Sequence, residues 1–503
     1  MHQSNLFKRS SGILLHPTAL PGKYGIGCLG KEALRFIDLL ALCGQKLWQI
    51  CPLGPTGYGD SPYQCFSSIA GNPMLIDPEE LLVTELLQQE DLTELENLPE
   101  EKVDFGRLIP LKYRVLRKSY LNFIEGKRRV NSSLSTEAFK AFCRNNKEWL
   151  DDFALFMALK QYFGGRSWDL WDDDIRLRKP CAVRNYTEKL QVEIEFLSFL
   201  QYLFFYQWEG VKNYANNKGI KIIGDMPIFT AYDSVDLWIN PELFLLDANL
   251  RPAFVAGVPP DYFSKTGQLW GNPLYNWEYL EKQGFSWWLQ VLKAKLTMYD
   301  YLRIDHFRGF SSYWAVPFGE NTAVKGWWRQ APGKMLFRKV REELGDVPII
   351  AEDLGYITPD VEELIEYCRF PGMKVLQFAF DAKEQNDHLP HNFPKNCVVY
   401  TGTHDNDTTV GWFRSAEPPD REFALKYMNS RGKEVHWDFI RTALASTAVF
   451  SLFPMQDIMG LGSEARFNTP GIPNGNWQWR MKKGQITTMD ITKLKELTRL
   501  YGR

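Results

Sequence analysis

Short apolar runs rich in β-branched residues recur along the chain, and each closes on polar residues, Gly or Pro. They read SGILLHPTAL (11–20), QKLWQICPLGP (45–55), IKIIGDMPIF (220–229) and YLRIDHFRG (301–309) in the first three-fifths. VPIIAEDLG (347–355), MKVLQFAF (373–380), NCVVYTGTHDN (396–406) and VFSLFPMQDIMG (449–460) follow. Runs of this kind fit strands buried on both faces. Between them lie amphipathic stretches such as KEALRFIDLLALCG, APGKMLFRKVREELG and PDVEELIEYCRF, the last entered through Thr358-Pro359-Asp360, a favourable helix start. Eight strand–helix alternations predict a parallel sheet, and eight strands are the number that closes a (β/α)8 barrel. A doubly wound open sheet competes, but the Gly-rich turn it would want after the first strand is missing.

Two connections exceed a simple crossover. Residues 78–219 carry helical patterns (ALFMALKQYF, EFLSFLQYLFFYQWEGVKNYA) and predict a mainly helical insertion after strand 2, since structureless loops of that size are rare. Residues 230–299, rich in Trp, Tyr, Gly and Pro, predict an aromatic-rich insertion after strand 3 that covers one barrel end. The organisation expected is therefore α/β: barrel strands 1–2 in 1–77, the helical insertion in 78–219, strand 3 in 220–229, the aromatic insertion with a lid loop in 230–299, and strands 4–8 with a C-terminal segment in 300–503.

Composition narrows the function. Lys and Arg number 59 against 61 Asp and Glu, a formal charge of −2, so no basic field exists to hold nucleic acid or an anionic membrane. No stretch approaches the ~20 apolar residues of a membrane span, and the N-terminus lacks a signal-peptide pattern. The expectation is a cytoplasmic protein. Eight Cys without CxxC spacing suggest reduced thiols rather than a disulfide framework or zinc site. The 17 Trp, 22 Tyr and 33 Phe are more informative, because many stand in loop-like stretches such as GPTGYGDSPYQ and GIPNGNWQWR. Aromatic faces on loops suit sugar rings.

Barrel chemistry gathers at the C-terminal ends of strands. Asp225, Asp305, Glu352 and Asp405 all stand there. One such residue may be only a helix cap; four close together repel one another, which implies function. In a retaining glycosyl-transfer site one carboxylate attacks the anomeric carbon, and a second, about 5–5.5 Å away, protonates the leaving oxygen. Asp305 lies between Arg303 and Arg308, whose charges would keep it ionised. Glu352 lacks an adjacent cation and suits the proton donor. A metal-dependent hydrolase using Asp305, His306, His404 and Asp405 is a second reading, weakened by the absence of HxH, HxxE or HExxH and by the two arginines. A glycan binder using Tyr58, Tyr63, Trp270 and Trp477 is a third, and it leaves the converging acids unexplained.

An ordered set of segments then resembles the 4-α-glucanotransferases, the amylomaltase or disproportionating-enzyme family of the α-amylase clan. The set comprises GILLHPTALPGKYGIG, PLGPTGYGDSPYQ, SSIAGNPMLID, IGDMPIF, AGVPPDYFSKTGQLWGNPLYNW, RIDHFRGF, IIAEDLG, FPGMKVLQFAFD, GTHDNDTT, PMQDIMGLGSEARFNTPG and GNWQWR. The resemblance runs nearly end to end. It implies a (β/α)8 barrel and a double displacement on α-1,4-glucans, with no cofactor and no metal. Asp305 matches the nucleophile, Glu352 the general acid and base, and Asp405 the carboxylate that stabilises the transition state. Arg303 and His404 match partners around that sugar, and Asp225 a further ligand. Ser61 and Tyr63 would line the donor side, Tyr58 a secondary glucan groove, and Gln268 and Trp270 a mobile loop over the acceptor. Phe378 would border the cleft. Asn468 and His306 complete the sugar-contacting set, His306 having a loop-holding role as its alternative. The implied partners are maltooligosaccharides, amylose or other α-1,4-glucans; oligomeric state is left open. A hydrolytic enzyme of the same clan is the alternative, since transfer and hydrolysis share their first half.

Overall fold

Eight parallel strands wind around one axis in the computed structural model, which describes residues 6–127, 134–260, 264–383, 386–472 and 474–503, the side chain of Tyr58 excepted. In chain order the strands of the described residues, eight of them in this barrel, begin with β1 (Ser10–Leu14), β2 (Leu47–Gln49) and β3 (Lys221–Pro227). β4 (Phe254–Val258), β5 (Gln268–Pro273), β6 (Tyr301–Asp305), β7 (Ser312–Pro317) and β8 (Trp327–Gln330) follow. β9 (Ile349–Ala351), β10 (Gly372–Val375), β11 (Cys397–Tyr400) and β12 (Phe450–Pro454) end the series. The large sheet runs β10-β11-β12-β1-β2-β3-β6-β9. The Ala351 amide donates to the Pro371 carbonyl at 2.9 Å, joining the two ends. All eight runs foreseen as strands are in this barrel.

Side-chain alternation divides each strand between two cores. Leu47, Ile223, Ile350, Met373, Val375, Val398, Tyr400, Phe450 and Leu452 fill the barrel interior. The opposite faces, such as Ile222, Met226, Leu302 and Ile304, join the much larger core beneath the helices. Phe7, Tyr301 and Phe450 pack ring to ring and plug the end opposite the site. At Gly224 a Cβ would lie 2.1 Å from the Tyr299 ring, so only glycine allows that close approach beside Asp225.

The stretch between β2 and β3 is helical, with long helices at Phe105–Ile124, Lys147–Tyr162 and Gln191–Asn217. The aromatic-rich stretch is not simply a cover. Its β4 and β5 build a four-stranded antiparallel sheet, β5-β4-β7-β8, with two strands that follow β6. Ser312–Pro317 and Trp327–Gln330 were not singled out as strands by their pattern, because their flanks resemble ordinary loop sequence. No helix among the described residues is long and apolar enough to cross a membrane.

Candidate active site

Register alone assembles the first group. Asp225 on β3 is the in-register neighbour of Arg303 on β6, so both side chains point into the barrel. Arg303 Nη1 donates to both Asp225 oxygens at 2.8 and 2.7 Å, and Nη2 donates to Asp305 Oδ1 at 2.8 Å. Asp305 stands two residues beyond Arg303 on the same face. The guanidinium is 3% exposed, so its charge acts with little solvent screening. Among the described residues no group of three or more His, Cys, Asp or Glu is arranged to hold a metal ion.

Glu352 is placed by the adjacent strand. Ile304 pairs with Ala351, so Asp305 and Glu352 leave neighbouring strands at the same level, and such strands lie about 4.8 Å apart. The Glu352 carboxylate accepts from the backbone amides of His306 at 2.6 Å and Leu354 at 2.7 Å, which fixes its direction. Burial, and then the charge of Asp305, push its pKa up to about 7, against the opposing pull of Arg303. Asp305 is also raised by burial; Arg303 opposes that shift while Asp225 and Asp405 add to it. Burial thus pushes both carboxyls toward the neutral form, and the ion pair with Arg303 opposes this most directly at Asp305.

Asp405 lies on the loop after β11. Asp457 clamps this loop, accepting from Thr401 Oγ1 at 2.5 Å and from the Thr409 amide at 2.7 Å. Asp405 Oδ1 accepts from Asn468 Nδ2 at 2.6 Å and lies 3.3 Å from His404 Nε2. Burial alone would raise its pKa, but His404, Asn468 and Arg303 together bring it down to about 2. Asp405 in turn raises the pKa of His404 against the effect of burial. The Tyr63 ring stacks on His404 with centroids 5.0 Å apart, and its hydroxyl donates to Asp225 Oδ2 at 2.8 Å. Trp477 packs on both rings at 5.8 Å and holds φ of 65°, a left-handed conformation rare for a large side chain. The expected crowding therefore has two outcomes: burial wins at Asp305 and Glu352, and partners win at Asp405.

The other predicted residues are arranged less tightly. Ser61 Oγ accepts from the Tyr63 amide at 3.2 Å, so it shapes that turn. Trp270 donates from Nε1 to Gln268 Oε1 at 3.2 Å and meets the His306 ring edge to face at 4.7 Å. His306 adopts φ of 52°; burial and Arg308 bring its pKa down to about 3, and its Nε2 is buried without a hydrogen-bond partner among the described residues. Phe378 sits just past β10, its ring against His388. The side chain of Tyr58 and residues 261–263 of the expected lid lie outside the described residues.

One expectation needs correction. Arg308 does not support Asp305: it turns outward, donates to the Tyr356 carbonyl and to Ser312 Oγ at 3.0 Å, and stacks over Trp328 at 3.8 Å. Three residues after Asp305 the chain has left the strand for a 3₁₀ turn, so strand alternation no longer applies. His16 is 6% exposed, with a pKa brought down to about 3 by burial and by His404. Arg466 was missed. It donates from Nη2 to the Asp405 carbonyl at 2.7 Å and from Nε to the Asn468 carbonyl at 2.8 Å, locking the two loops together. Its only signal in the sequence was its place two residues before Asn468.

Comparison with known proteins agrees over the whole length. The glycoside hydrolase 77 family model, described as 4-alpha-glucanotransferase, matches residues 15–487. A 4-alpha-glucanotransferase from Synechocystis is 49% identical over 503 residues, covering 99% of both chains. One from Thermus thermophilus is 48% identical, covering 98% of this chain and 99% of its own. Among solved structures, an amylomaltase from Streptococcus agalactiae in complex with acarbose superposes with a TM-score of 0.95. It is 43% identical, and the match covers 99% of this chain and 100% of that one.

Proposed function

Because the chain belongs to the 4-alpha-glucanotransferase family, we propose that Asp305, Glu352 and Asp405 carry out a retaining double displacement on α-1,4-glucans. The observation that carries this assignment is the pair on adjacent strands, Asp305 held by Arg303 and Glu352 with its pKa pushed up to about 7 by burial and Asp305. The ionised Asp305 carboxylate attacks the anomeric carbon as Glu352 protonates the leaving 4-oxygen. This releases the reducing-end fragment and forms a β-linked glucosyl–enzyme. Asp405, kept ionised, accepts hydrogen bonds from the sugar hydroxyls and offsets positive charge developing at the ring. Glu352, now a carboxylate, then takes the proton from the 4-OH of an incoming glucan or glucose. That oxygen attacks the anomeric carbon and restores the α-linkage.

Tyr63, Asp225, Arg303 and His404 form the floor and wall of the donor pocket in this reading, and Asn468 holds Asp405 at its working angle. Gln268, Trp270 and His306 border the acceptor. Their aromatic faces exclude water and orient the attacking hydroxyl, which favours transfer over hydrolysis. Donor and acceptor are maltooligosaccharides or amylose, and intramolecular attack gives cyclic glucans. All eight cysteines are free thiols, which suits a reducing cytoplasm.

Incubation with maltotriose alone tests the reading. Glucose together with products longer than the substrate is the expected outcome. Glucose and maltose without longer products would make water the acceptor and overturn the assignment of transfer.

A further inference from the structure

The loop that carries His404 and Asp405, residues 401–409, leaves the barrel at the end of β11. In the sheet β11 lies between β10 and β12, and a side chain from just past each neighbour grips the loop. From beyond β10, Gln377 Nε2 donates to the Asp407 carbonyl at 2.8 Å. A Cβ on Gly402 would lie 2.6 Å from that nitrogen, so glycine there lets the amide come close. From beyond β12, Asp457 on the helix Met455–Ile458 accepts at both ends of the loop. Its Oδ2 accepts from Thr401 Oγ1 at 2.5 Å and from Thr409 Oγ1 at 2.7 Å, and its Oδ1 from the Thr409 amide at 2.7 Å.

Asp457, Thr401 and Thr409 are each 0% exposed, so Asp457 cannot touch a substrate. A carboxylate suits this place because it offers acceptors only, and both hydroxyls and the amide come to it as donors. Inside the loop, Asn406 Oδ1 accepts from the Thr403 amide and from Thr403 Oγ1, each at 2.8 Å, which fixes the turn that holds His404 and Asp405. Those internal bonds set the shape of the loop. Its place over the barrel comes from Gln377, Asp457 and Arg466, and of these only Asp457 holds both ends.

We propose that Asp457 is a positioning residue for Asp405, closing the loop so that Asp405 stays against His404 Nε2 at 3.3 Å and Asn468 Nδ2 at 2.6 Å. The inference rests on the reading of Asp405 as the carboxylate that stabilises the transition state. Without the Asp457 carboxylate, three buried donors lose their acceptor and both ends of the loop are released. The His404 ring is held from outside the loop, stacked on Tyr63 at 5.0 Å and packed on Trp477 at 5.8 Å, so release shifts Asp405 relative to it. A displacement of about 1 Å is enough to cost on the order of a hundredfold in rate. Because Asp405 raises the pKa of His404, that pKa reports the placement without any turnover.

Carbon NMR of histidine-labelled protein, whose seven histidines give a sparse spectrum, tests the proposal beside the kinetics on maltotriose. His404 is assigned by His404→Gln. In Asp457→Ala the His404 pKa is expected to fall, while the His388 and His391 resonances stay in place and show that the variant has folded. In the same variant kcat should drop about a hundredfold with little change in KM. Asp457→Asn keeps an acceptor for the Thr409 amide and should recover part of both. Thr401→Val removes one end of the clamp, should lower the His404 pKa by less and cost about tenfold in kcat, and decides the matter should Asp457→Ala fail to fold. A folded variant in which His404 titrates as in the parent overturns the proposal even where activity falls, because that loss would be general destabilisation. A shifted His404 with unchanged kcat supports the placement and counts against the reading of Asp405.

Discussion

The two sides of the cleft are held by different physics. On the side proposed for the donor, Asp225, Arg303, Asp305, His404, Asp405 and Asn468 form a nearly continuous set of charge-assisted contacts between 2.6 and 3.3 Å. They stand on strands or loops that packing has already fixed. On the side proposed for the acceptor, Gln268 and Trp270 share one amide contact on an antiparallel sheet outside the barrel, and Trp270 meets His306, just past β6, ring edge to face. Bond-breaking requires fixed charge, and preorganised electrostatics lose their value if they move. Choice of acceptor requires only shape and the exclusion of water, which a peripheral sheet can provide.

The sharpest break in this contrast is to remove the proposed nucleophile. Asp305→Asn keeps the shape and one acceptor for Arg303 but cannot form the glucosyl–enzyme. Transfer and hydrolysis should fall together by on the order of 10⁴-fold or more, read as product release from maltotriose. Residual hydrolysis at the normal rate would place the nucleophile elsewhere. Arg303→Ala comes next and acts on stability too, because it leaves buried Asp225 without its counter-charge. A loss of about 3–5 kcal/mol is expected in urea unfolding. An unchanged midpoint would mean that the network is not held by Arg303.

Titration separates the same two sides. In the proposed mechanism Glu352 must be protonated to start the reaction, so kcat/KM should fall as pH rises through about 7, tenfold per unit on the alkaline limb. Asp305 must be ionised, and its raised pKa puts the acid limb above the ordinary aspartate range. Linkage has the same sign: with a folded pKa above its unfolded one, Glu352 contributes stability that is full below the ordinary glutamate range. That contribution is lost as pH rises through about 7. The charge of Asp305 is part of the cause, so Asp305→Asn should lower the Glu352 pKa, seen by infrared or carbon NMR of the carboxyl. A Glu352 pKa that does not move would leave burial as the whole cause.

What could be read from the residues follows this division. The barrel strands announce themselves because a two-sided core demands continuous apolar runs, and the position of each acid at the end of its run then places it on the C-terminal rim. Alternation is enough to put Arg303 and Asp305 on one face. It fails at Arg308, where the strand has ended, and it says nothing of Arg466, whose partners are backbone carbonyls 61 and 2 residues away. The sheet β5-β4-β7-β8 was hidden for a related reason. Its strands are short, rich in Gly and Trp, and paired across β6, so no local pattern reports the partner. The family resemblance named residues such as Gln268 and Trp270, while their contact with His306 emerges only from the fold.

Trp270→Ala probes the acceptor side alone and should have the smallest effect on chemistry. The residue is half-buried and has no hydrogen bond to a carboxylate among the described residues, so the first half-reaction keeps its proposed nucleophile, acid and electrostatics. What changes is the second half. Removing the indole opens the space beside His306, admits water to the glucosyl–enzyme and takes away a face that orients the incoming 4-OH. A change of about 1 kcal/mol in the competition corresponds to roughly a fivefold rise in hydrolysis relative to transfer. It is measured as free glucose against the longer oligosaccharides from maltotriose, and the Glu352 limb of the pH profile should stay where it was. If the ratio holds and the total rate falls instead, Trp270 belongs with the bond-breaking side and the division of labour is wrong. If the ratio shifts at constant total turnover, the cleft separates breaking a bond from choosing who receives the sugar.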